Sequence, residues 1–191
     1  MKIISYVVKY DYGFAPNPFH GFLTLATCKP IIRSSKNTHK GDILLGKASG
    51  EDKLIYVGII SDIVTIEEYS TNPKFEDKKP RKIKTIDDIN QFGDNMYYLE
   101  NGCWRNLKGW HTEQEQWDRD ISGKNVLICE RFWYFGDNAP DIPPEFLSFI
   151  CQGRGMKHSK EQDKNAVERF MEWLTHKYPQ QGLLGKPSTK L

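Results

Sequence analysis

The longest run of β-type residues places the strongest constraint on how this chain can fold. Residues 54–69 are rich in isoleucine, valine and tyrosine, which are the residue types enriched in strands. The run is longer than an ordinary strand, so a bend near Gly58 or Asp62 is predicted. Shorter runs of the same character, separated by glycine and proline turns, occur at residues 3–9, 22–27, 43–46, 96–99, 125–129 and 131–135.

One segment near the C-terminus predicts a helix. Ser159 and Gln162 have the spacing of a capping box, and Pro179 ends the segment. Between Gln162 and Pro179, apolar residues recur at helical spacing, at Val167, Phe170, Met171, Leu174 and Tyr178. Several strands, one C-terminal helix and long loops predict an α+β fold, predominantly β, built as a curled sheet or a small barrel.

The length predicts a single domain. A chain of 191 residues is long enough for one domain with a substantial core and short for two. Residues 70–95 differ in character from the rest, because they contain a basic patch at 78–84 followed by Asp87 and Asp88. We interpret residues 70–95 as an insertion or a long connection inside a domain that spans residues 1–191.

Composition and spacing disfavour several classes of protein. The formal net charge is only +2, which is small for a protein that coats duplex DNA. No apolar run approaches the roughly 18–20 residues that cross a membrane, and no signal peptide is apparent, so we expect a cytoplasmic protein. The cysteines form no CxxC pair and are expected to be free thiols. The histidines lack metal-ligand spacing, so no metal site is predicted, and the sequence identifies no cofactor.

The loop at residues 11–20 is the first candidate site. Its two prolines reduce the entropy lost when the loop is held in one shape. Asp11 and His20 are the candidate acid–base residues, and the carboxamide of Asn17 can read the edge of a base. Phe14 and Phe19 can stack on a base. The structural alternative is that the phenylalanines plug the end of a sheet and Asn17 caps a turn.

The segment Gly153-Arg154-Gly155-Met156-Lys157-His158-Ser159 is the second candidate site. It precedes the predicted start of the C-terminal helix, where backbone N–H groups and the helix dipole favour an anion. Arg154 and Lys157 are therefore predicted to bind phosphate. The alternative is a solvated helix start.

The third candidate is the run of aromatic residues at 132–135. Successive strand residues point to opposite faces, so one pair is expected in the core and the other pair can line a pocket. Tyr134 is the member that we predict to contact a nucleotide. Core packing of all four is the alternative.

Several sequence blocks resemble the second family of nucleotide modification associated domains, which is found in phages and bacteria. The blocks are residues 6–11 with 13–19, 24–30 with Arg33, 41–42, 93–95, Asp118, 132–136 and 153–155. The block Gly-Phe-Ala-Pro-Asn-Pro-Phe at 13–19 is the most specific of them. The resemblance implies a predominantly β fold and a role around hypermodified DNA bases, and it places Arg33 among the nucleotide-binding candidates.

A second likeness is to the PUA-like group, which includes the EVE and ASCH domains. It depends on a Gly-Asp turn before a strand, here Gly41-Asp42, and on the long strand that follows. This likeness implies a small barrel that binds RNA or modified bases.

Together these observations predict a nucleotide- or base-binding domain that takes part in DNA base hypermodification, with DNA favoured over RNA. The domain can be an enzyme, although the sequence does not define a reaction. Two alternatives stay open: a non-enzymatic PUA-like reader of modified bases in DNA or RNA, and a phage interaction protein that sequesters a nucleotide signal or blocks a host factor. A protein partner fits the last alternative.

Overall fold

The computed structural model describes residues 1–81 and 93–189. The strands in this part of the chain are β1 (Ile3–Val8), β2 (Leu23–Leu25), β3 (Ile43–Ala48), β4 (Leu54–Ile59), β5 (Asp62–Thr65), β6 (Tyr97–Glu100), β7 (Cys103–Asn106), β8 (Asn125–Cys129), β9 (Arg131–Tyr134), β10 (Met156–His158) and β11 (Gly182–Leu183). The helices are α1 (Pro30–Arg33), α2 (Ile66–Thr71), α3 (Gln114–Ile121) and α4 (Lys164–Lys177). Short 3-10 turns form at Pro73–Lys78, Gly136–Asn138, Pro144–Phe149 and Glu161–Asp163. The predicted α+β class and the C-terminal helix are confirmed.

The chain divides into two compact units, each made of segments that are distant in sequence. The first unit contains the described residues of Met1–Tyr12, His39–Ile60 and Glu130–Leu191. The second unit contains the described residues of Gly13–Thr38 and Ser61–Cys129. The predicted single domain over 1–191 stays a prediction.

The first unit is built on an open six-stranded mixed sheet in the order β10-β1-β3-β4-β9-β11. Strands β1 and β3 run parallel, as do β9 and β11, and the remaining neighbours are antiparallel. Helix α4 belongs to the buried apolar cluster of this unit through Val167, Phe170 and Leu174. These residues come from the apolar face that the helical spacing predicts.

The start of the C-terminal helix differs from the prediction. Helix α4 begins at Lys164, and Ser159 does not cap it. The Ser159 hydroxyl instead accepts a hydrogen bond from the backbone N–H of Ile3 at 2.9 Å, because the segment before it forms strand β10 and pairs with β1. The loop at 153–155 therefore leads into a strand, and the argument that a helix N-terminus supports anion binding there is wrong.

The second unit contains a three-stranded antiparallel sheet in the order β2-β8-β5 and the β6–β7 hairpin. The β-type run at 54–69 breaks before β5, close to the predicted bend, and its last part is helix α2 rather than strand. A capping box explains this helix: the Thr65 hydroxyl accepts from the Glu68 N–H at 3.1 Å, and the Glu68 carboxylate accepts from the Thr65 N–H at 2.7 Å. Helix α3 lies in a region for which no helix was predicted.

Part of the predicted insertion at 70–95 and of the basic patch at 78–84 lies outside the described residues. The described part at 70–81 holds the end of α2 and the 3-10 turn Pro73–Lys78. In residues 1–81 and 93–189, no helix combines the length and the hydropathy that crossing a bilayer requires.

Candidate active site

Cys28, His111 and Asp120 form a line of potential catalytic groups in the second unit. The imidazole of His111 lies between the other two side chains: Nδ1 is 2.5 Å from Asp120 Oδ2, and Nε2 is 4.0 Å from Cys28 Sγ. Asp120 is fully buried and His111 is buried, whereas Cys28 is partly exposed. The partly exposed end of the line is therefore the thiol.

The carboxylate of Asp120 is fixed by donors on both of its oxygens. Oδ1 accepts from the backbone N–H of Cys28 at 2.7 Å, and Oδ2 accepts from the Tyr97 hydroxyl at 2.9 Å as well as facing His111. Burial and the charge of Asp120 raise the pKa of Tyr97, so Tyr97 stays a neutral donor at all physiological pH values. Asp120 thus orients His111 and also fixes the position of the Cys28 backbone through a hydrogen bond.

Helix α3 positions both the histidine and its carboxylate partner. Trp117 and Asp120 are three residues apart on this helix and therefore share one face. The Trp117 indole N–H donates to the His111 carbonyl at 3.1 Å, and the Asn106 side chain donates to the same carbonyl at 2.7 Å. The Phe14 ring packs against the imidazole in a T-shaped arrangement, with ring centroids 5.0 Å apart. These contacts leave the His111 ring little freedom to rotate.

The electrostatics of His111 favour its protonated form. Burial alone lowers the pKa of an imidazole, but the hydrogen bonds and charges of Asp120 and Cys28 outweigh it and raise the pKa of His111 to about 9. At neutral pH His111 is therefore an imidazolium, and its Nε2 lies 4.0 Å from the Cys28 sulfur. An imidazolium can give a proton to a leaving or developing anion and can stabilise a neighbouring thiolate.

The backbone at the cysteine has an uncommon conformation. Cys28 and Lys29 have φ values of 53° and 40°, in the left-handed region that residues other than glycine rarely occupy. Such conformations persist where the surrounding structure enforces them, and they cluster at functional sites.

Arg33 is the residue that holds this turn in place. Its guanidinium donates to the carbonyl oxygens of Cys28 at 2.8 Å and Asn125 at 2.9 Å, and also to the carbonyl of Asp120. Burial lowers the pKa of Arg33 to about 10, so the group is still charged at neutral pH. Gly123 makes room for it, because a Cβ at position 123 would lie 2.4 Å from Arg33 Cζ. In this structure Arg33 therefore stabilises the backbone around Cys28 and Asp120.

The same three side chains can also hold a metal ion. Cys28, His111 and Asp120 each offer one ligand atom, and these atoms lie within 4.8 Å of one another. Sulfur, imidazole and carboxylate ligands suit Zn²⁺. The arrangement nevertheless resembles a nucleophile, base and orienting acid more closely, because Cys28 and Asp120 face opposite nitrogens of one ring.

Among the predicted site residues of the second unit, Phe14 and Arg33 contact the Cys28–His111–Asp120 line. Asn17 is buried, and its carboxamide oxygen accepts from the Lys78 ammonium at 2.8 Å and from the Phe19 N–H at 3.3 Å. Phe19 is also buried, whereas His20 is half-buried with a φ of 58°. Base recognition by Asn17 and Phe19 and acid–base chemistry by His20 stay predictions.

The remaining predicted residues belong to the first unit. The Tyr134 hydroxyl donates to Asp11 Oδ1 at 2.5 Å, and the backbone N–H of Ser188 donates to Asp11 Oδ2 at 3.1 Å. Burial and the charge of Asp11 raise the pKa of Tyr134. Arg154 is exposed, and the Lys157 ammonium donates to the Ser148 carbonyl at 2.5 Å. The structure brings Asp11 and Tyr134 together, and their roles toward a nucleotide stay predictions.

No sequence pattern joins Cys28, His111 and Asp120 into one site. The three residues form neither a CxxC pair nor a histidine pair at helical spacing, because His111 lies 83 positions from Cys28 and 9 from Asp120. A cysteine nucleophile and its histidine are usually far apart in sequence and meet only in the fold. With four cysteines and five histidines in the chain, that pattern does not single out Cys28 and His111.

The chain was compared with known proteins at three levels. The model of the family described as nucleotide modification associated domain 2 matches residues 1–191. Neither the curated proteins nor the solved structures contain a significant match.

Proposed function

The chain belongs to the nucleotide modification associated domain 2 family, and we propose that it is an enzyme that modifies a nucleotide base by nucleophilic catalysis from Cys28. The family supplies the association with nucleotide modification. The observation that supports catalysis is the line Cys28–His111–Asp120, in which a partly exposed thiol faces a histidine oriented by a fully buried carboxylate. Nucleophile, acid–base group and orienting group are the parts that covalent catalysis requires.

Each residue has a defined task in this proposal. The Cys28 thiolate attacks an electrophilic carbon of the base and forms a carbon–sulfur bond. The electron pair displaced from the attacked double bond moves to the adjacent atom, which takes the proton from the His111 imidazolium. Asp120 keeps the imidazole in the orientation that presents Nε2 to the sulfur. The saturated adduct then permits a change that the aromatic base resists, such as displacement of an exocyclic amino group by water with release of ammonia. Elimination of the thiolate finally removes the added proton and restores the double bond in the modified base.

An aromatic side chain beside His111 suits a planar substrate. Trp110 is 37% exposed, and its ring lies 6.4 Å from that of Phe14, which itself contacts His111. Exposed indole rings stack on bases of any sequence. Stacking on Trp110 would place a base close to the thiol.

We infer that the base belongs to DNA in a phage or in a bacterial cell, in line with the resemblance of the sequence blocks. A thiol at the protein surface cannot reach a base inside a duplex. The substrate is therefore a free nucleotide, a single strand or a base that has left the stack. The small net charge of +2 fits a substrate held at one local site rather than along a duplex.

The proposal is tested by trapping the covalent intermediate. The protein is incubated with single-stranded oligonucleotides of each common base and with a fluoropyrimidine oligonucleotide, and its intact mass is then measured. An adduct located by peptide mapping at Cys28, absent in Cys28→Ser and retained in Cys103→Ser, supports the proposal. Cys103 is the matched control because it is an exposed free thiol.

Two outcomes of this experiment contradict the proposal. One is an adduct that forms equally in Cys28→Ser. The other is tight binding of an oligonucleotide that is recovered unchanged and unattached by both proteins, which is the behaviour of a non-enzymatic reader.

A metal centre at the same three residues is the second candidate, because sulfur, nitrogen and oxygen ligand atoms converge within 4.8 Å. Titration with Co²⁺ distinguishes the two, since thiolate coordination gives an intense charge-transfer absorption. Absorption that appears in the parent protein and in Cys103→Ser but is lost in Cys28→Ser favours the metal centre. If no such absorption appears, the site is not a metal centre and Cys28 is interpreted as a nucleophile.

A further inference from the structure

A cavity of about 590 Å³ lies in the second unit and has no role in the chemistry described above. Its walls include the side of helix α2, the 3-10 turn that follows it and the β6–β7 hairpin. Its volume falls in the range of small-molecule sites. Tyr97 is common to this cavity and to the candidate active site, since it lines the cavity and donates to Asp120.

Asn95 gives the cavity a fixed hydrogen-bond acceptor. The residue is only 2% exposed, and its amide nitrogen donates to the carbonyl oxygens of Tyr69 and Phe75, at 3.1 Å each. These two bonds define which end of the carboxamide is nitrogen, so the oxygen is the group that remains. Within residues 1–81 and 93–189 that oxygen has no protein donor. Among the described residues, the side-chain atoms that are both buried and unpaired are Thr27 Oγ1 and His158 Nδ1. The Asn95 oxygen is therefore accessible at the cavity wall, where an N–H group on a ligand can reach it.

Two hydroxyls on the cavity wall are also available as acceptors. The hydroxyls of Ser70 and Thr71 both give their hydrogens to the Glu67 carbonyl, at 2.8 and 3.0 Å, which leaves their lone pairs as acceptors. Lys79 is paired with Glu76 at 2.7 Å, so the charge of this cation is already balanced. Because Lys79 and Glu76 neutralise each other, the Glu67 carboxylate gives the lining residues a net negative charge. Such a wall repels phosphate and attracts N–H donors.

The remaining residues that line the cavity are apolar or aromatic. They are Leu99 and Leu107, which are 38% and 40% exposed, and the tyrosines Tyr97 and Tyr98. Large apolar side chains that stay exposed at the edge of a concave surface are typical of ligand sites. The body of the ligand is therefore apolar or planar.

We propose that this cavity binds a small ligand that presents an amino or ammonium group on an apolar or planar body. The N–H donors face Asn95, Ser70 and the Glu67 carboxylate, and the body of the ligand packs against Leu107 and the tyrosines. Two sources share this chemistry: a nucleobase with an exocyclic amino group, and an aliphatic amine that serves as a co-substrate. The proposal does not depend on nucleophilic catalysis by Cys28.

Matched pairs of ligands test the proposal by calorimetry and by the shift of the melting temperature. Cytidine is compared with uridine, which has a carbonyl in place of the amino group, and a diaminoalkane is compared with the alkanediol of equal length. The proposal expects the amino member of at least one pair to bind and to raise the melting temperature, and its partner to fail. The pair that responds identifies the source of the amino group.

Glu67→Gln is the variant that locates the binding. The Glu67 side chain is exposed and lies outside the Thr65–Glu68 capping box, so the change is expected to leave the fold intact. Loss of a charge-assisted hydrogen bond weakens the binding of the amino ligand about tenfold. Glu172→Gln, on the exposed face of α4 in the first unit, is the matched control and should bind normally.

The proposal is overturned if neither amino ligand binds, or if both members of each pair bind equally. It is also overturned if Glu67→Gln binds the amino ligand as tightly as Glu172→Gln does. In each of these cases the cavity does not select for N–H donors.

Discussion

Replacing Asp120 with asparagine tests the electrostatic basis of the candidate active site. The structure gives His111 a pKa of about 9, against an ordinary value of 6.5, because the hydrogen bonds and charges of Asp120 and Cys28 outweigh burial, and Asp120 is the larger of these two contributors. A shift of this size corresponds to roughly 3–4 kcal/mol of stability that depends on the charged imidazolium. Because the folded-state pKa is raised, this stability is fully present below about pH 6.5 and is lost as the pH rises through about 9.

Two effects are therefore expected in Asp120→Asn. The protein is destabilised at pH 6 by at least the electrostatic contribution, since the asparagine also leaves a donor or acceptor unmatched among Cys28, Tyr97 and His111. In addition, the decline in stability between about pH 6.5 and 9 largely disappears, because the carboxylate that stabilises the imidazolium is gone.

The assay is urea unfolding across this pH range, together with an NMR titration of the His111 ring proton. The parent protein should lose roughly 2–3 kcal/mol between pH 6.5 and 9, and the variant should lose little. The His111 pKa should fall towards its ordinary value, because burial lowers it and Cys28 alone still raises it. Equal pH dependence in the two proteins, with an unchanged titration, would refute the reasoning.

Two further predictions concern packing and the first unit. Gly123→Ala should destabilise the protein by about 1–3 kcal/mol in thermal unfolding, because its Cβ would lie 2.4 Å from the Arg33 guanidinium carbon, whereas Gly153→Ala, with no atom within 4 Å, should be neutral. Equal melting temperatures would contradict the close approach. Tyr134→Phe removes the donor at 2.5 Å from Asp11 and should cost about 1–3 kcal/mol in urea unfolding. An unchanged unfolding midpoint would show that this buried pair contributes nothing.

Regular patterns allowed much of the fold to be predicted. Strands β1, β3, β8 and β9 lie where β-type runs occur, and α4 lies where apolar residues recur at helical spacing. The errors arose where one local contact decided between two structures. The Thr65–Glu68 capping box turned the end of a β-type run into α2, and pairing with β1 made Ser159 an acceptor for Ile3 rather than a helix cap.

The candidate site was harder to predict, because its members come from segments that only the fold brings together. Cys28 follows β2, His111 lies in a loop and Asp120 is in the last turn of α3. The sequence blocks that resemble the family also do not distinguish residues that take part in chemistry from residues that position them. Arg33 belongs to a block that resembles the family, yet its guanidinium is occupied by the carbonyl oxygens of Cys28, Asn125 and Asp120.

The claim that Cys28 is a nucleophile activated by His111 is tested most directly by the rate at which iodoacetamide alkylates each cysteine. The rates at Cys28 and Cys103 are measured by peptide mass spectrometry between pH 5.5 and 8.5, in the parent protein and in His111→Gln. Cys103 is an internal reference, since it is the more exposed thiol.

At pH 6, the account predicts that Cys28 reacts at least about tenfold faster than Cys103 despite its lower exposure. His111→Gln should abolish this advantage and leave the rate at Cys103 unchanged. The account is contradicted if Cys28 reacts more slowly than Cys103 at every pH and if its rate does not depend on His111.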